Sequence, residues 1–225
     1  MKKNTRRKYL IPAVACLVVV AGIVYYYFFA SMAAGNETRY VYIDTDDTVD
    51  SVYTKLADVS STNGMAGFKT LVRHSHYADN IRTGRYAIKP GEGAFTVFRH
   101  MKNGLQSPVS LTVPSVRTLD RLAAELSKRL MVDSATIYEA LSDEAICKKY
   151  GYDTATVAAL FIPNTYDIYW NVSVEKLLDR MKKENHNFWS GQREEKARAM
   201  KLTPVEVTTL ASIIDEETAN DGEKP

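Results

Sequence analysis

Glu217 is the residue of this chain whose position best suits acid–base chemistry. It lies near the end of a predicted helix over residues 203–219, TPVEVTTLASIIDEETA. At about 100° per residue, Glu217 falls between Leu210 and Ile213, at the edge of the apolar helix face. A carboxyl group held against apolar side chains is harder to ionise, so its pKa rises towards the range of a general acid. The alternative is that Glu217 ends the helix at a solvated rim, as acidic residues beside apolar faces often do.

The sequence also marks the start and the buried face of this helix. Thr203 supplies an N-cap hydroxyl, Pro204 occupies the first helical position, and Glu206 completes a capping box. Asp215 lies on the opposite edge of the apolar face, and Glu216 points away from it. The residues expected to form the buried face recur at helical spacing and are Val207, Leu210, Ala211, Ile214 and Thr218.

The N-terminal end of the chain predicts a membrane anchor. A basic tail over residues 1–8 precedes a predicted transmembrane helix over residues 9–30, which contains no charged residue. Its apolar part is long enough for about 30 Å of hydrocarbon, and the aromatic run at 25–29 would form a belt at the far interface. Basic residues before the span predict a cytoplasmic N-terminus, a single pass through the inner (cell) membrane, and the bulk of the chain in the periplasm or its equivalent.

Two other interpretations of this apolar segment exist. Ser31-Met32-Ala33 is a small-x-small sequence that suits cleavage of a signal peptide, and Cys16 would be the modified residue of a lipoprotein. A signal-peptide core is usually about 7–15 residues long, which is shorter than this run. The length therefore favours a retained anchor.

Charge, cysteine and histidine content argue against several functional classes. The chain has a formal net charge of +2 and its tail contributes +5, so the remainder is near −3. It shows no basic stripe, and we expect no nucleic-acid partner. Cys147 lies outside the predicted span without another cysteine beside it, which excludes a disulfide framework and a CxxC site. The histidines lack the spacing of a metal site, so no metal is expected.

Residues 38–113 predict a small α+β domain. Its predicted elements are, in order, a strand at 39–43, helices at 49–59 and 65–74, a strand at 85–88, a helix at 95–102 and a strand at 107–113. Gly64 is the expected break between the first two helices. A strand-helix-helix-strand order forms a compact unit with a sheet on one side and helices on the other.

The chain becomes largely helical after Pro114, which we take as the domain boundary, so a second domain is predicted over residues 114–225. Helices are predicted at 119–130, 133–141, 153–160, 174–189 and 203–219. Thr118, Asp133 and Asp153 stand at the starts of three of them as N-caps. The charged residues of the fourth helix are expected to form a solvated face.

An aromatic segment, FIPNTYDIYW at residues 161–170, interrupts these helices. Because its proline does not fit a regular central strand, we expect a shaped loop that presents aromatic rings. Flat rings beside amides and hydroxyls suit the apolar and polar faces of a sugar. The candidate glycan-binding residues are Asn164, Tyr166, Tyr169 and Trp170. The alternative is a loop that fills the core.

Taken together, these segments resemble the endolytic murein transglycosylases, also called the YceG-like or MltG family. The resemblance rests on the N-terminal span, on GRYAIKPGEG in a LysM-like domain, on FIPNTYDIYW, and on LASIIDEET, in this order along nearly the whole chain. It implies an α+β fold with an N-terminal transmembrane helix, a small LysM-like domain and a largely helical catalytic domain. Members of the family continue beyond the point that corresponds to Pro225, which implies that the catalytic domain is incomplete here and that the implied activity is that of the complete protein.

The resemblance also implies the chemistry and the partners. The catalytic acid of the family directly precedes a threonine, which corresponds to Glu217; where the family usually has Glu-Lys-Glu-Thr, this chain has Asp215-Glu216-Glu217-Thr218. Cleavage of the β-1,4 bond between N-acetylmuramic acid and N-acetylglucosamine would leave 1,6-anhydro ends and needs no metal or organic cofactor. Peptidoglycan glycan strands are the implied substrate, and wall synthases and division or elongation proteins are the implied partners.

Two other functions are compatible with the sequence. The first is a membrane-tethered glycan-binding or scaffolding module of the wall-synthesis machinery, without catalysis. The second is a hydrolase that uses two carboxylates, Glu217 and Asp215. Analysis of the digested glycan distinguishes anhydro ends, reducing ends and the absence of product.

Overall fold

The computed structural model describes the backbone of residues 3–217 and the side chains of residues 10–214. Within this range the chain forms two compact units, the first ending at Ser107 and the second beginning at Pro108. The α-helices are α1 (Lys3–Val24), α2 (Val49–Ala57), α3 (Thr62–Arg73), α4 (Ala94–Asn103), α5 (Leu119–Ser127), α6 (Ser134–Ser142), α7 (Glu144–Tyr150), α8 (Val174–Trp189), α9 (Gln192–Ala199) and α10 (Pro204–Glu217). The strands are β1 (Arg39–Ile43), β2 (Gly84–Ile88), β3 (Val109–Val113) and β4 (Asn164–Ile168). This mixture of helices and small sheets confirms the α+β class.

The apolar N-terminal segment is one continuous helix. α1 passes into a π-helical turn at Tyr25–Phe29. Residues Leu10–Phe29 have a mean hydropathy of 2.2 and are long and apolar enough to cross a membrane. The side chains of this stretch are largely exposed, as a lipid-facing helix requires.

The first unit has the predicted strand-helix-helix-strand order. β1 and β2 pair in antiparallel register, with Val41 opposite Tyr86, and α4 follows β2. Helix α2 packs against α3, and α3 packs against α4, while α2 contacts β1 and α4 contacts β2. Phe68 of α3 lies at the centre of this core and is fully buried. The order of elements is therefore confirmed, whereas the LysM-like assignment stays a prediction.

The predicted break at Gly64 is wrong. Gly64 lies in the first turn of α3, whose N-cap is Ser61, and the Ser61 hydroxyl accepts a hydrogen bond from Gly64 N at 3.3 Å. A Cβ at Gly64 would stand 2.7 Å from the Cα of Met32. The glycine is needed for this close approach of two backbones, and the chain turns between α2 and α3 at residues 58–61 instead.

Gly67 makes a second close approach, and we expect Gly67→Ala to destabilise the first unit. Alanine normally stabilises a helix relative to glycine, but a Cβ at Gly67 would overlap the backbone carbonyl of Tyr27. Overpacking of this kind costs about 1–3 kcal/mol. Thermal unfolding of the full-length protein in detergent measures the effect. Gly35→Ala is the matched control, because a Cβ at Gly35 meets no atom within 4 Å; equal melting temperatures of the two variants would refute the argument.

The second unit begins earlier than the sequence indicates. β3 pairs with β4 in antiparallel register, with Leu111 opposite Tyr166, so β3 belongs to the second unit. The boundary predicted near Pro114 is therefore corrected to the junction of Ser107 and Pro108. The assignment of this unit as part of a catalytic domain stays a prediction.

The helices of the second unit agree with the sequence in most places. α8 has the predicted bounds, and Asp133 caps α6 by accepting a hydrogen bond from Thr136 N at 2.8 Å. The helix predicted at 153–160 is shorter: Asp153 caps a turn that leads into a 3-10 helix at Val157–Leu160. α7 and α9 were not predicted, because each is too short to show a helical hydrophobic period.

Candidate functional site

The start of α10 is built as the sequence predicts. Glu206 Oε2 accepts hydrogen bonds from Thr203 N at 2.7 Å and from the Thr203 hydroxyl at 2.8 Å. In return, Glu206 N donates to Thr203 Oγ1 at 3.2 Å. These two hydrogen bonds from Thr203 to the carboxylate lower the pKa of Glu206. The capping box therefore defines where the helix that carries Glu217 begins.

The apolar face of α10 is not buried along its described length. Leu210, Ile213 and Ile214 are 47%, 53% and 45% exposed, and Ala211 is exposed as well. The expectation that Leu210, Ala211 and Ile214 form a buried face is therefore wrong for this structure. α10 packs against α9 and the 3-10 helix. Its partly buried residues, such as Pro204 and Val205, lie near its start, and Leu210 and Ile214 lie further along the helix.

Glu217 is the last residue of α10 whose backbone is described. Its side chain lies outside the described residues, as do those of Asp215 and Glu216. The role of Glu217 as a general acid, and the alternative pair with Asp215, both stay predictions. Thr218, predicted for the same face, lies outside the described residues altogether.

The aromatic segment forms a strand and not the expected loop. Asn164–Ile168 is β4, and it pairs with β3 along its whole length. Pro163 directly precedes the strand, where it removes no hydrogen bond from the ladder, and β4 lies at an edge of a two-stranded sheet. The proline therefore marks the start of the strand.

Tyr166 belongs to the core of the second unit. It is 6% exposed, and its hydroxyl donates a hydrogen bond to the Ile162 carbonyl at 2.7 Å. Burial, together with the nearby Glu184 carboxylate, raises the pKa of the Tyr166 phenol. A ring in this position cannot stack on a sugar from solvent, so Tyr166 is reassigned from glycan contact to core packing.

The other three predicted glycan-binding residues lie at the two ends of β4. Asn164 is exposed at the start of the strand, and its Oδ1 accepts a hydrogen bond from Thr165 N at 2.7 Å. Tyr169 directly follows the strand and is 54% exposed. Trp170 is partly buried against the core of the second unit, and its carbonyl accepts a hydrogen bond from Met131 N at 2.8 Å. Tyr169 is thus the aromatic ring of the segment that is available to a ligand.

The outer face of the β3–β4 sheet carries polar groups that the sequence analysis did not select. The hydroxyls of Thr112 and Thr165 lie 3.0 Å apart across the strands. The Ser110 hydroxyl donates to Asp167 Oδ1 at 3.3 Å. The alternation of β3 indicated a polar face in advance, but its partner strand was not recognised. This face presents hydroxyls and one carboxylate, whereas Asn164, one residue before Thr165, is in register with Val113 of the inner face.

A cleft of about 390 Å³ opens at the start of α10. Its lining includes Tyr152, Asn185, His186, Trp189, Pro204 and Val205. Asn185 is held in place by donating hydrogen bonds to the carbonyls of Ala159 and Leu160. The predicted glycan-binding residues do not line this cleft.

Among residues 10–214, no group of three His, Cys, Asp or Glu side chains could hold a metal ion. Cys147 is buried and its Sγ donates to the Leu141 carbonyl at 3.3 Å; burial raises the pKa of this thiol. His76 Nδ1 lies 3.1 Å from Asp79 Oδ2 at an exposed position. None of these described side chains indicates a cofactor site. That the protein needs no metal or organic cofactor stays a prediction from the sequence.

The described residues form a two-unit α+β fold in which one helix, near the N-terminus, is long and apolar enough to span a membrane. The model of the YceG-like family matches residues 41–225, which cover most of the chain. The chain therefore belongs to the YceG-like family. This confirms the resemblance drawn from the sequence motifs.

Comparison with solved structures finds a YceG-like protein of Listeria monocytogenes. The two chains are 19% identical and superpose with a TM-score of 0.45, over 83% of this chain and 66% of the Listeria chain. The present chain thus spans just under two thirds of that protein. No curated protein matches the chain.

Proposed function

We propose that this protein is a membrane-anchored endolytic lytic transglycosylase that cuts peptidoglycan glycan strands during wall assembly. The observation that carries the proposal is the family match over residues 41–225, because it spans both FIPNTYDIYW and LASIIDEET. These are the two segments on which the sequence analysis placed the glycan contacts and the general acid. We propose wall synthases and division or elongation proteins as partners by the same reasoning.

The proposed reaction needs one carboxyl group that acts twice. Glu217 donates its proton to the glycosidic oxygen as the bond to C1 of N-acetylmuramic acid breaks and positive charge develops on the ring. The C6 hydroxyl oxygen of the same sugar then bonds to C1, and its proton returns to Glu217. The products are a 1,6-anhydro end and a new free hydroxyl on the leaving sugar. No water is consumed, and the carboxyl group is restored for the next turnover.

The proposed glycan contacts are Asn164 and Tyr169, while Trp170 packs against the core of the second unit. Asn164 offers amide hydrogen-bonding groups at an exposed strand end, and Tyr169 offers an exposed ring on the turn closed by Val172 N and the Tyr169 carbonyl at 3.0 Å. Because Trp170 is partly buried in the core, we expect it to position the Tyr169 turn more than to touch sugar. A rigid strand end is a better platform for a ring than a mobile loop, since less side-chain freedom is lost on binding.

We expect Tyr169→Ala to weaken glycan binding while the protein stays folded. Aromatic stacking on a nucleic-acid base is worth about 1–3 kcal/mol, and the same scale for a sugar corresponds to a roughly 5- to 150-fold rise in Kd. Equilibrium binding to purified glycan strands measures this change. Tyr138→Ala is the matched control, because Tyr138 is also an exposed tyrosine of the second unit, at 46%. Equal affinity of the two variants would remove Tyr169 from the site.

The proposed orientation places both units outside the cytoplasm. Basic residues in the tail and the aromatic turn at Tyr25–Phe29 support it, since they mark the inner and outer interfaces of a span. A reporter that is active only outside the cytoplasm, fused after Ser107 at the unit boundary, should be active. Activity of a cytoplasm-only reporter at the same junction would reverse the orientation.

Digestion of purified glycan strands tests catalysis and its position along the strand. An endolytic enzyme shortens long strands into a broad range of lengths from the first minutes. Release of disaccharides from strand ends would contradict an internal cut. Binding without any shortening, by the protein in its native membrane, would favour the non-catalytic glycan-binding module.

A further inference from the structure

The end of the candidate span is packed directly onto the rest of the first unit. Asn63 Nδ2 at the start of α3 donates a hydrogen bond to the Tyr26 carbonyl at 2.9 Å. Gly67 of α3 lies so close to the Tyr27 carbonyl that a Cβ would overlap it, and a Cβ at Gly93 would stand 2.7 Å from the Cα of Phe29. Two separate parts of the unit, α3 and the residues before α4, therefore touch the last turn of the apolar helix.

The residues after the span leave no free linker. Met32 is fully buried in the core of the first unit. Its N–H donates to the Glu92 carbonyl at 2.8 Å, and its carbonyl accepts from Ser61 N at 2.7 Å. Ala34 N donates to the Val59 carbonyl at 3.0 Å. The remainder of the first unit therefore begins where the apolar helix ends, and it cannot move away from that point without losing part of its core.

This packing fixes the depth of one exposed aromatic side chain. Phe95, in the first turn of α4, is 43% exposed, and its ring centroid lies 6.0 Å from that of Phe29. Phe29 is the last residue of the span Leu10–Phe29 and is 52% exposed. If Leu10–Phe29 crosses a bilayer, Phe95 lies within about one ring diameter of its outer interface.

We propose that the first unit is seated on the bilayer, with Phe95 inserted at the boundary between lipid headgroups and acyl chains. The occupant of this surface is the phospholipid of the outer face of the membrane, and the proposal rests on the membrane anchor proposed above. Tyr25 and Tyr26 are exposed beside Phe29 and extend the same aromatic girdle. Aromatic rings are favoured at this depth because one side meets acyl chains and the other meets water. The first unit is thus a peripheral membrane domain held at a constant height, and not a module on a flexible tether.

Fluorescence quenching by brominated phospholipids tests whether Phe95 is inserted in the bilayer, with the full-length protein reconstituted in phosphatidylcholine vesicles. The variants are Phe95→Trp, Leu105→Trp and Val18→Trp, and the emission added by each new tryptophan is compared with the parent. Leu105 is the matched control because it is 55% exposed but follows the far end of α4, about 15 Å along a ten-residue helix. We expect strong quenching at positions 18 and 95 and little at position 105.

Each outcome has a separate meaning. Quenching at position 18 without quenching at position 95 leaves the anchor in place and overturns the membrane seat. The absence of quenching at position 18 overturns the anchor itself. A Phe95→Trp variant protected only when a second protein or a second copy is present would assign the surface to a protein partner and would likewise overturn the lipid seat.

A second pair of variants tests the proposal independently, in case Phe95→Trp does not fold. The native cysteines are shielded, since Cys16 lies in the span and Cys147 is buried. In vesicles, Phe95→Cys should react with a membrane-impermeant maleimide at least about tenfold more slowly than Leu105→Cys. Equal rates of labelling would overturn the proposal.

Discussion

Replacement of Glu217 by glutamine is expected to lower glycan cleavage by at least about 100-fold, since a positioned proton donor typically contributes 10²–10⁴-fold in rate. Glutamine keeps the size and the hydrogen bonding of the side chain but carries no transferable proton. The helix should remain intact, because α10 is started by the capping box at Thr203 and Glu206. Initial rates of anhydro-product formation by the full-length protein measure the effect.

Two neighbouring carboxylates supply the controls for this variant. Glu216→Gln should stay within a few-fold of the parent, since Glu216 is predicted to point away from the apolar helix face. Asp215→Asn should also be mild unless the enzyme is a hydrolase that uses Asp215 and Glu217 together. If Glu216→Gln abolishes the product while Glu217→Gln retains it, both the motif register and the helix-face argument are wrong.

Leu111→Ala is expected to cause a large loss of stability in the second unit. Leu111 is fully buried on the inner face of β3, opposite Tyr166 of β4. Truncation of a buried leucine leaves a cavity and costs about 2–5 kcal/mol. Denaturant unfolding followed by tryptophan emission reports this unit specifically, because Trp170 and Trp189 are the two tryptophans of the chain and both lie in it.

Thr112→Val is the matched control on the same strand. Its side chain lies on the outer face and pairs with Thr165, so the loss of one exposed hydroxyl contact should cost below about 1 kcal/mol. A Leu111→Ala variant as stable as Thr112→Val would mean that β3 does not pack as described. The assignment of β3 to the second unit would then fail with it.

Local signals were sufficient to predict much of this fold. α8 and the start of α10 are fixed by N-caps and by helical periodicity within a few residues, and both were located from the sequence. The apolar helix near the N-terminus can be predicted from its composition and length alone. The strands β1 and β2 were also located, since β1 alternates strand-forming residues and β2 is bounded by glycine and proline, but their antiparallel pairing was not predicted.

Contacts between distant segments were the part that the sequence could not predict. Thr112 and Thr165 pair across 53 residues, so neither the domain boundary nor the strand at FIPNTYDIYW follows from a local pattern. Tyr166 was selected as a glycan contact because tyrosine suits a sugar, but its burial depends on that distant pairing. In α10, periodicity identified an apolar face at Leu210 and Ile214 but not what would cover it.

Digestion in isotopically labelled water tests the central claim most directly, because the proposed ring closure consumes no water. Full-length protein is incubated with purified glycan strands in water enriched in heavy oxygen, and the new ends are analysed by mass spectrometry. The account predicts 1,6-anhydro ends that carry no label, and loss of these ends in Glu217→Gln. Reducing ends that carry the heavy oxygen would show a hydrolase and would contradict it.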